Sequence, residues 1–371
     1  MGMRGALDTG LTMTAYPPIR VGLIGYGYAG KTFHAPLISA TPGMELVAVA
    51  SRDAAKVHAD LPGMRVLPTP DALIADDGID LVVIATPNDT HAPLASAALR
   101  AGRHVMIDKP MALDLAEARA LVALADASPG QLSVFHNRRW DSDYLSVKQA
   151  IDEGAIGEVV HFESHIDRYR PTVRDRWRES AGPGAGIWYD LGPHLVDQAL
   201  QLFGLPARVH AALAIQRAGG LSDDWAHVRL DYGVRQVIVH ASMLVAGGAR
   251  RFVVHGTRGS LVKTGADRQE AQMLAGQIPG SAGWGEDPDP LVVIDGEGRE
   301  TRRAPAPGDQ RACYAGLRDA LRCEAPMPVR AIEALATMAV IEAGLASHRE
   351  GRAVSVPLTP VERQALDRPG F

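Results

Sequence analysis

Cysteine is scarce in this chain of 371 residues: only Cys313 and Cys323 are present. On one helix their ten-residue separation spans about 15 Å, beyond disulfide reach. A fold without disulfides and a reducing, cytoplasmic setting are therefore expected. Long apolar runs are also missing. None approaches the roughly 20 residues that cross a bilayer. Residues 1–20 have no apolar stretch of signal-peptide type, so no membrane association is expected and residues 1–18 read as a polar N-terminal extension. Positive charge is not in excess. The 38 Lys and Arg against 43 Asp and Glu leave a formal charge of −5, which argues against nucleic-acid affinity. No internal repeat or low-complexity tract occurs. His161, His165, His227 and His255 sit in strand-like segments without companion ligand spacing, so no metal site is read.

What the chain does have is 46% hydrophobic residues, enough for substantial cores, over a length that suits two domains. Up to residue 137, strand-like runs at 21–24, 45–50, around Val66, 81–85, 104–107 and 132–135 alternate with helical stretches such as 33–40, 93–100 and 114–127. That alternation predicts a doubly wound parallel sheet with ligand sites at the carboxyl ends of its strands. Beyond residue 137 a helix over 142–153 leads to longer strand runs at 159–169, 207–216, 225–232, 236–242 and 251–255. Helices over 314–322 and 331–348 follow. The expected fold class is α/β plus α+β. Residues 19–137 form a Rossmann dinucleotide-binding domain. Residues 138–371 form a mixed, mainly antiparallel sheet domain for substrate binding and oligomerisation, with its last helices packed back on the first. Residues 264–290 read as a long loop, serving as a lid or an interface arm.

The stretch Gly25-Tyr26-Gly27-Tyr28-Ala29-Gly30 carries the most information. It lies between a strand and a helix, and a second strand follows, which is the context a dinucleotide fingerprint requires. Gly25 allows the tight turn, Gly27 lets a pyrophosphate approach the backbone, and Gly30 lets helix and strand pack closely; Tyr28 and Ala29 complete the loop. The helix start offers N–H groups and a positive dipole end to phosphates. After the second strand stands Ser51-Arg52, where an NAD enzyme would carry a carboxylate for the ribose hydroxyl. A hydroxyl and a guanidinium suit a 2′-phosphate instead, so NADP(H) is expected over NAD(H). Arg52 also reads as a solvated loop charge, and Asp53 as an N-cap.

Two further segments bear chemistry. Asp108-Lys109-Pro110 follows the fifth strand, where a lysine faces the nucleotide crevice. Asp190 and His194 are four apart, which brings them to one face if the segment is helical. Pro193 suits only a first turn, so that helix is expected to begin near Gly192. A carboxylate beside an imidazole fixes its tautomer and raises its basicity, and an ammonium steadies a developing alkoxide. Lys109, Asp190 and His194 are thus the candidate catalytic set. The plainer reading is a strand-end charge, a helix cap and a half-buried histidine. Arg168, Arg170, Arg174, Arg176 and Arg178 form a basic cluster interleaved with Asp167, Asp175 and Glu179. A salt-bridged surface or subunit contact is favoured there over an anionic substrate. His34 either approaches the cofactor or packs within its helix.

The glycine loop continued by Lys31-Thr32-Phe33-His34-Ala35-Pro36-Leu37, then Asp108-Lys109-Pro110, then Asp190 and His194, resembles the glucose–fructose oxidoreductase and inositol dehydrogenase family. The resemblance runs from about Ile19 to the C-terminus. Three longer strings resemble its NADP-dependent scyllo-inositol dehydrogenase branch: Phe135-His136-Asn137-Arg138-Arg139-Trp140-Asp141, Arg168-Tyr169-Arg170-Pro171 and Arg176-Trp177-Arg178-Glu179. So does the Asp190–His194 segment as it continues to Asp197-Gln198. The resemblance implies that Lys109 contacts both nicotinamide ribose and substrate hydroxyl. His194 would exchange the hydroxyl proton, with Asp190 beside it. Thr86, Pro87, Asn88 and His91, with Asp108, would contact the cofactor, and Asn137, Arg138 and Trp177 would line the substrate pocket. Asp108 departs from the family's usual glutamate, one methylene longer.

The expected activity is NADP(H)-dependent interconversion of a secondary alcohol and a ketone on a cyclitol or sugar, of scyllo-inositol dehydrogenase type. Reduction of another keto-sugar stays open. So do a non-catalytic NADP-sensing protein and a glycoside-cleaving relative that cycles its nicotinamide internally. The expected partners are a small-molecule substrate and further copies of the chain, as a homodimer or homotetramer, because an exposed sheet face needs covering.

Overall fold

The computed structural model describes residues 16–367. The expected extension over residues 1–18 therefore lies outside the described residues, except for 16–18. Six parallel strands form the first sheet: β1 (Ile19–Ile24), β2 (Met44–Ala50), β3 (Arg65–Leu67), β4 (Leu81–Ile84), β5 (His104–Ile107) and β6 (Leu132–Val134). Their order is β3-β2-β1-β4-β5-β6. All of β4, Leu-Val-Val-Ile, is buried, as a central strand covered on both faces requires. The chain reverses direction of winding between β1 and β4, which opens a crevice at their carboxyl ends. Side chains set the helix starts locally. Asp53 accepts from the Lys56 amide, Thr69 from that of Ala72 and Asp114 from that of Glu117.

The second sheet has nine strands: β7 (Val159–Asp167), β8 (Arg208–Ala214), β9 (Trp225–Tyr232), β10 (Arg235–Ser242), β11 (Phe252–Gly256), β12 (Gly259–Lys263), β13 (Leu291–Asp295), β14 (Glu300–Arg303) and β15 (Val354–Ser355). Their order is β14-β13-β12-β11-β7-β10-β9-β8-β15. β7 and β10 run parallel and the other pairs antiparallel, so the sheet is mixed and mainly antiparallel. Alternation places Phe162, Val228, Leu230, Val237 and Val239 in the core. They pack with the helices Ile187–Phe203 and Ala331–Glu350. The opposite face carries Glu163, His165, His227 and His240.

The helix Ala331–Glu350 also packs on β6 and on the helix Leu115–Asp126 of the first sheet. Glu342 accepts the Leu115 amide at 2.9 Å, and Ser133 donates to the Val329 carbonyl at 2.9 Å.

Three expectations need correction. β12, β13 and β14 extend the sheet where no strands were expected. β14 is Glu-Thr-Arg-Arg, without an apolar face to betray it. Residues 264–290 contain the helix Gln269–Leu274, which packs against the turn at Gly30–His34. The helix expected to begin near Gly192 begins at Ile187, with Pro193 in its interior. Its start is capped from afar. Asp223 accepts the Trp188 amide through its carboxylate at 2.8 Å and the Ile187 amide through its backbone carbonyl at 2.7 Å. Gly186, at φ +97°, has no room for a side chain beside that carboxylate.

Trp188 joins this helix to the Ala331 helix. Its indole lies against Gly192 and Gly344 and donates to the Ile341 carbonyl at 3.0 Å. Trp188→Ala is expected to cost about 3–5 kcal/mol of stability, measured as a lower urea midpoint of unfolding. A loss below about 1 kcal/mol would show that the two helices are held elsewhere.

Candidate active site

Gly25 follows β1 with φ +95°, and a β-carbon there would sit 2.5 Å from the Ala85 carbonyl oxygen. One at Gly30 would sit 2.2 Å from the Gly25 oxygen, so the third glycine serves close packing behind the loop. A β-carbon at Gly27 would meet nothing within 4 Å. That position faces an open groove of about 560 Å³ lined by Gly25, Gly27, Tyr28, Ala29, Ser51, Arg52, Thr86 and Pro87. A bare backbone turn against open space is the cradle a pyrophosphate needs, so these residues fit a dinucleotide. At the far end Arg52 and Lys56 have no carboxylate partner among the described residues. The Asp53 carboxylate is turned to cap its helix. Lys56 was not singled out from the sequence. Its signal is electrostatic, for a cation in the first turn of a helix opposes the dipole.

Asn88 and His91 do not reach the groove wall. Asn88 is buried and its side-chain amide donates to the Gly184 carbonyl at 3.0 Å. His91 is fully buried, with its ring nitrogens 2.7 Å from the Pro110 carbonyl and 3.0 Å from that of Thr86. It ties the Lys109–Pro110 turn to the end of β4. His34 is likewise buried, against Tyr314 at 2.6 Å, with Nε2 3.9 Å from Asp108. Burial works to raise the Asp108 carboxyl, but His34, Lys109 and His91 outweigh it and hold it at about 2. Asp108 is therefore a fixed negative charge behind Lys109.

A second cavity of about 390 Å³ is lined by Asp108, Lys109, Asn137, Arg138, Trp177, Asp190 and His194. Lys109, Asp190 and His194 thus converge. Their pairing differs from the sequence expectation. Lys109 Nζ donates to the Asp190 backbone carbonyl and lies 3.2 Å from its carboxylate, and Arg178 lies 3.3 Å from the same oxygen. Burial opposes ionisation of Asp190, but Lys109, Arg178 and Arg168 hold its carboxyl well below the ordinary range. Asp190 therefore orients Lys109 and not His194. Among the described residues, no group hydrogen-bonds either nitrogen of the His194 ring. Burial first, then the charges of Lys109 and Arg138, push its pKa well below 6.5. The carboxylate-raised basicity expected for His194 is absent, and the imidazole is neutral. Burial also draws the Lys109 ammonium below 10.5, against the opposing pull of Asp190 and Asp108.

The arginine cluster is a further correction. Arg168, Arg170, Arg174, Arg176 and Arg178 all line this cavity. Arg176 pairs with Glu179 and Arg178 with Asp190, the latter stacked 4.3 Å over Trp177. Arg168, Arg170 and Arg174 have no ion pair among the described residues. Burial and then Arg168, Arg174 and Arg176 depress the Arg170 guanidinium. Sequence spacing could not distinguish a surface network from a cavity wall, because the segment has little regular structure. Glu270, also missed, closes the cavity from the 264–290 segment. It accepts from the Tyr28 hydroxyl at 2.7 Å and meets Arg138 at 3.3 Å.

Residues 19–136 match the NAD-binding Rossmann fold of an oxidoreductase family designated GFO_IDH_MocA, and residues 148–358 match its C-terminal alpha/beta domain. An uncharacterized oxidoreductase of Escherichia coli K12, YdgJ, is 53% identical over 89% of this chain and 97% of its own. The scyllo-inositol 2-dehydrogenase (NADP(+)) IolW of Bacillus subtilis 168 is 35% identical over 91% of this chain and 95% of its own. A crystal structure from Klebsiella pneumoniae superposes with a TM-score of 0.90 at 53% identity, covering 95% of this chain and 98% of that one. With both halves matched and the relatives covered nearly end to end, this chain belongs to the Gfo/Idh/MocA oxidoreductase family.

Proposed function

We propose that this oxidoreductase uses NADP(H) to interconvert a secondary alcohol and a ketone on a cyclitol or sugar, as a scyllo-inositol dehydrogenase does. One observation carries the reading. The nucleotide groove and the cavity holding Lys109 and His194 share Tyr28, Ala29, Trp177 and Arg178 as walls. A dinucleotide laid along the groove therefore ends at the candidate proton-transfer groups. The name of the Bacillus subtilis relative supports the substrate class and the coenzyme. Bound nicotinamide would supply the hydride acceptor or donor. In oxidation, neutral His194 accepts the hydroxyl proton while the Lys109 ammonium, held by Asp190, stabilises the alkoxide. In reduction the same groups act in reverse. A sensor without chemistry has no use for this aligned set.

The arginine wall favours a second reading of the substrate: a keto-sugar bearing a carboxylate or phosphate, bound by Arg168, Arg170 and Arg174. One panel tests both. Inosose-type cyclitol ketones and carboxylated or phosphorylated keto-sugars are offered with NADPH, and loss of coenzyme absorbance is followed. Turnover of a neutral cyclitol is expected, and Lys109→Ala or His194→Ala should lower kcat about 10²–10⁴-fold while NADPH binding persists. Preference for the anionic compounds, abolished in Arg170→Ala, would establish the second reading. Unchanged rates in both catalytic variants would falsify the assignment of proton transfer.

Arg52 and Lys56 are proposed to hold the 2′-phosphate. Arg52→Ala should raise the KM for NADPH about 10- to 100-fold, given roughly 1.5–3 kcal/mol for a charged hydrogen bond, and leave that for NADH nearly unchanged. Equal effects on both coenzymes would remove this role. The pH profile follows from the buried pair. Oxidation needs neutral His194, whose pKa lies below 6.5, and charged Lys109, whose pKa lies below 10.5. The kcat/KM for alcohol oxidation should therefore stay level through pH 6.5, falling only at lower pH and again on the alkaline side before 10.5. An acid limb centred at or above 6.5 would contradict a buried neutral base.

A further inference from the structure

On the open face of the second sheet, three potential ligands that are scattered in sequence come together. β7 and β10 pair in parallel with His165 opposite His240 and Asp167 opposite Ser242. One ligand atom from each of His165, Asp167 and His240 lies within 4.8 Å of the other two. His165 Nδ1 is 3.4 Å from Asp167 Oδ2, and His240 Nε2 is 3.6 Å from Asp167 Oδ1. Bonds of about 2.0–2.1 Å at tetrahedral angles hold neighbouring zinc ligands roughly 3.3–3.4 Å apart. The two imidazoles approach different oxygens of Asp167 at distances close to that separation and long for good hydrogen bonds, which leaves room for an ion beside the carboxylate.

The surrounding contacts point the same way. His165 Nε2 is 3.1 Å from Glu163 Oε2. A proton donated there leaves Nδ1 with a lone pair, and carboxylate-backed imidazoles of this kind are the usual outer support of a metal ligand. His240 Nδ1 is 3.3 Å from His227 Nδ1. If His240 donates in that contact, its Nε2 also presents a lone pair to Asp167. The Asp167 side chain is only 3% exposed, and its Oδ1 and His165 Nδ1 are buried atoms without a hydrogen-bond partner. In those tautomers two nitrogen lone pairs face a buried carboxylate, a repulsion that a cation among them relieves. Without a cation, burial opposes charge on His165, but Asp167 and Glu163 outweigh it and raise the pKa, favouring the protonated form.

We infer that His165, Asp167 and His240 bind a divalent transition-metal ion of the zinc class, with a fourth position left for water. Two imidazoles and one carboxylate suit such an ion and do not suit magnesium, which prefers an all-oxygen octahedron. Asp167 ends β7 and directly precedes Arg168. The ion would fix the base of the arginine-bearing segment without touching the hydride-transfer groups.

The test uses the full chain, stripped with chelator and desalted. Titration with Zn²⁺ should show one site per chain, and Co²⁺ should give the intense visible bands of low-coordinate cobalt. Asp167→Asn and His240→Ala should each weaken Zn²⁺ binding more than 10-fold and lose the cobalt bands. Glu163→Gln should weaken it about 10- to 100-fold, as loss of an outer-shell partner does. His210→Ala, an exposed histidine on β8, should bind as the parent does, which excludes adventitious surface capture. Circular dichroism verifies that the variants fold, and either ligand variant alone suffices. No stoichiometric Zn²⁺ uptake, or uptake unchanged in His240→Ala, would overturn the site and leave a protonated His165 between Glu163 and Asp167 as the occupant of the gap.

Discussion

A single buried ion pair, Lys109 with Asp190, organises the centre of this molecule. The lysine comes from the end of β5 in the first sheet and the aspartate from a helix packed on the second. The side chains are 10% and 16% exposed. Breaking such a pair by removing one partner leaves an uncompensated buried charge, at a cost of about 3–5 kcal/mol. The pair therefore does more than aim an ammonium. It joins the two sheets across the crevice, and the positive charge it retains contributes to keeping His194 neutral. Asp108 backs it from the other side, itself fixed by His34 and Lys109.

The cavity electrostatics follow from that arrangement. Carboxylates at Asp108, Asp190 and Glu270 are matched to particular cations, and Arg168, Arg170 and Arg174 are left without an ion pair among the described residues. The site carries positive potential in a partly enclosed space, where field lines are focused and anions concentrate. The anionic pyrophosphate of a dinucleotide lying in the adjoining groove is close to this field.

What was legible in the sequence was local. The glycine turn, the β4 and β5 runs, Asp53 as a cap and Lys109 at a strand end each depend on a few adjacent residues, and each was found. What was not legible depends on distant partners. The cap on the Ile187 helix is Asp223, which no spacing rule connects to Gly186. Asp190 and His194 share a helix, as their separation implied, yet the carboxylate belongs to Lys109. The arginine segment lacks regular structure, so no periodicity in it marks the side that lines the cavity. His165 and His240 meet only through the register of β7 on β10, and the pairing of two parallel strands cannot be deduced from either alone.

The helix Ala331–Glu350 carries a consequence for how the chain is born. It covers β6 and the helix Leu115–Asp126, and its Glu342 caps the latter. Those segments leave the ribosome some two hundred residues earlier, at a time when nothing yet shields them. Domains generally fold as units, N-terminal first, during synthesis. Here the outer layer of the nucleotide-binding half is completed by a helix some two hundred residues further along the chain. Any synthesis that stops before this helix leaves that flank uncovered, so the coenzyme-binding half depends for its outer layer on a segment from the other half.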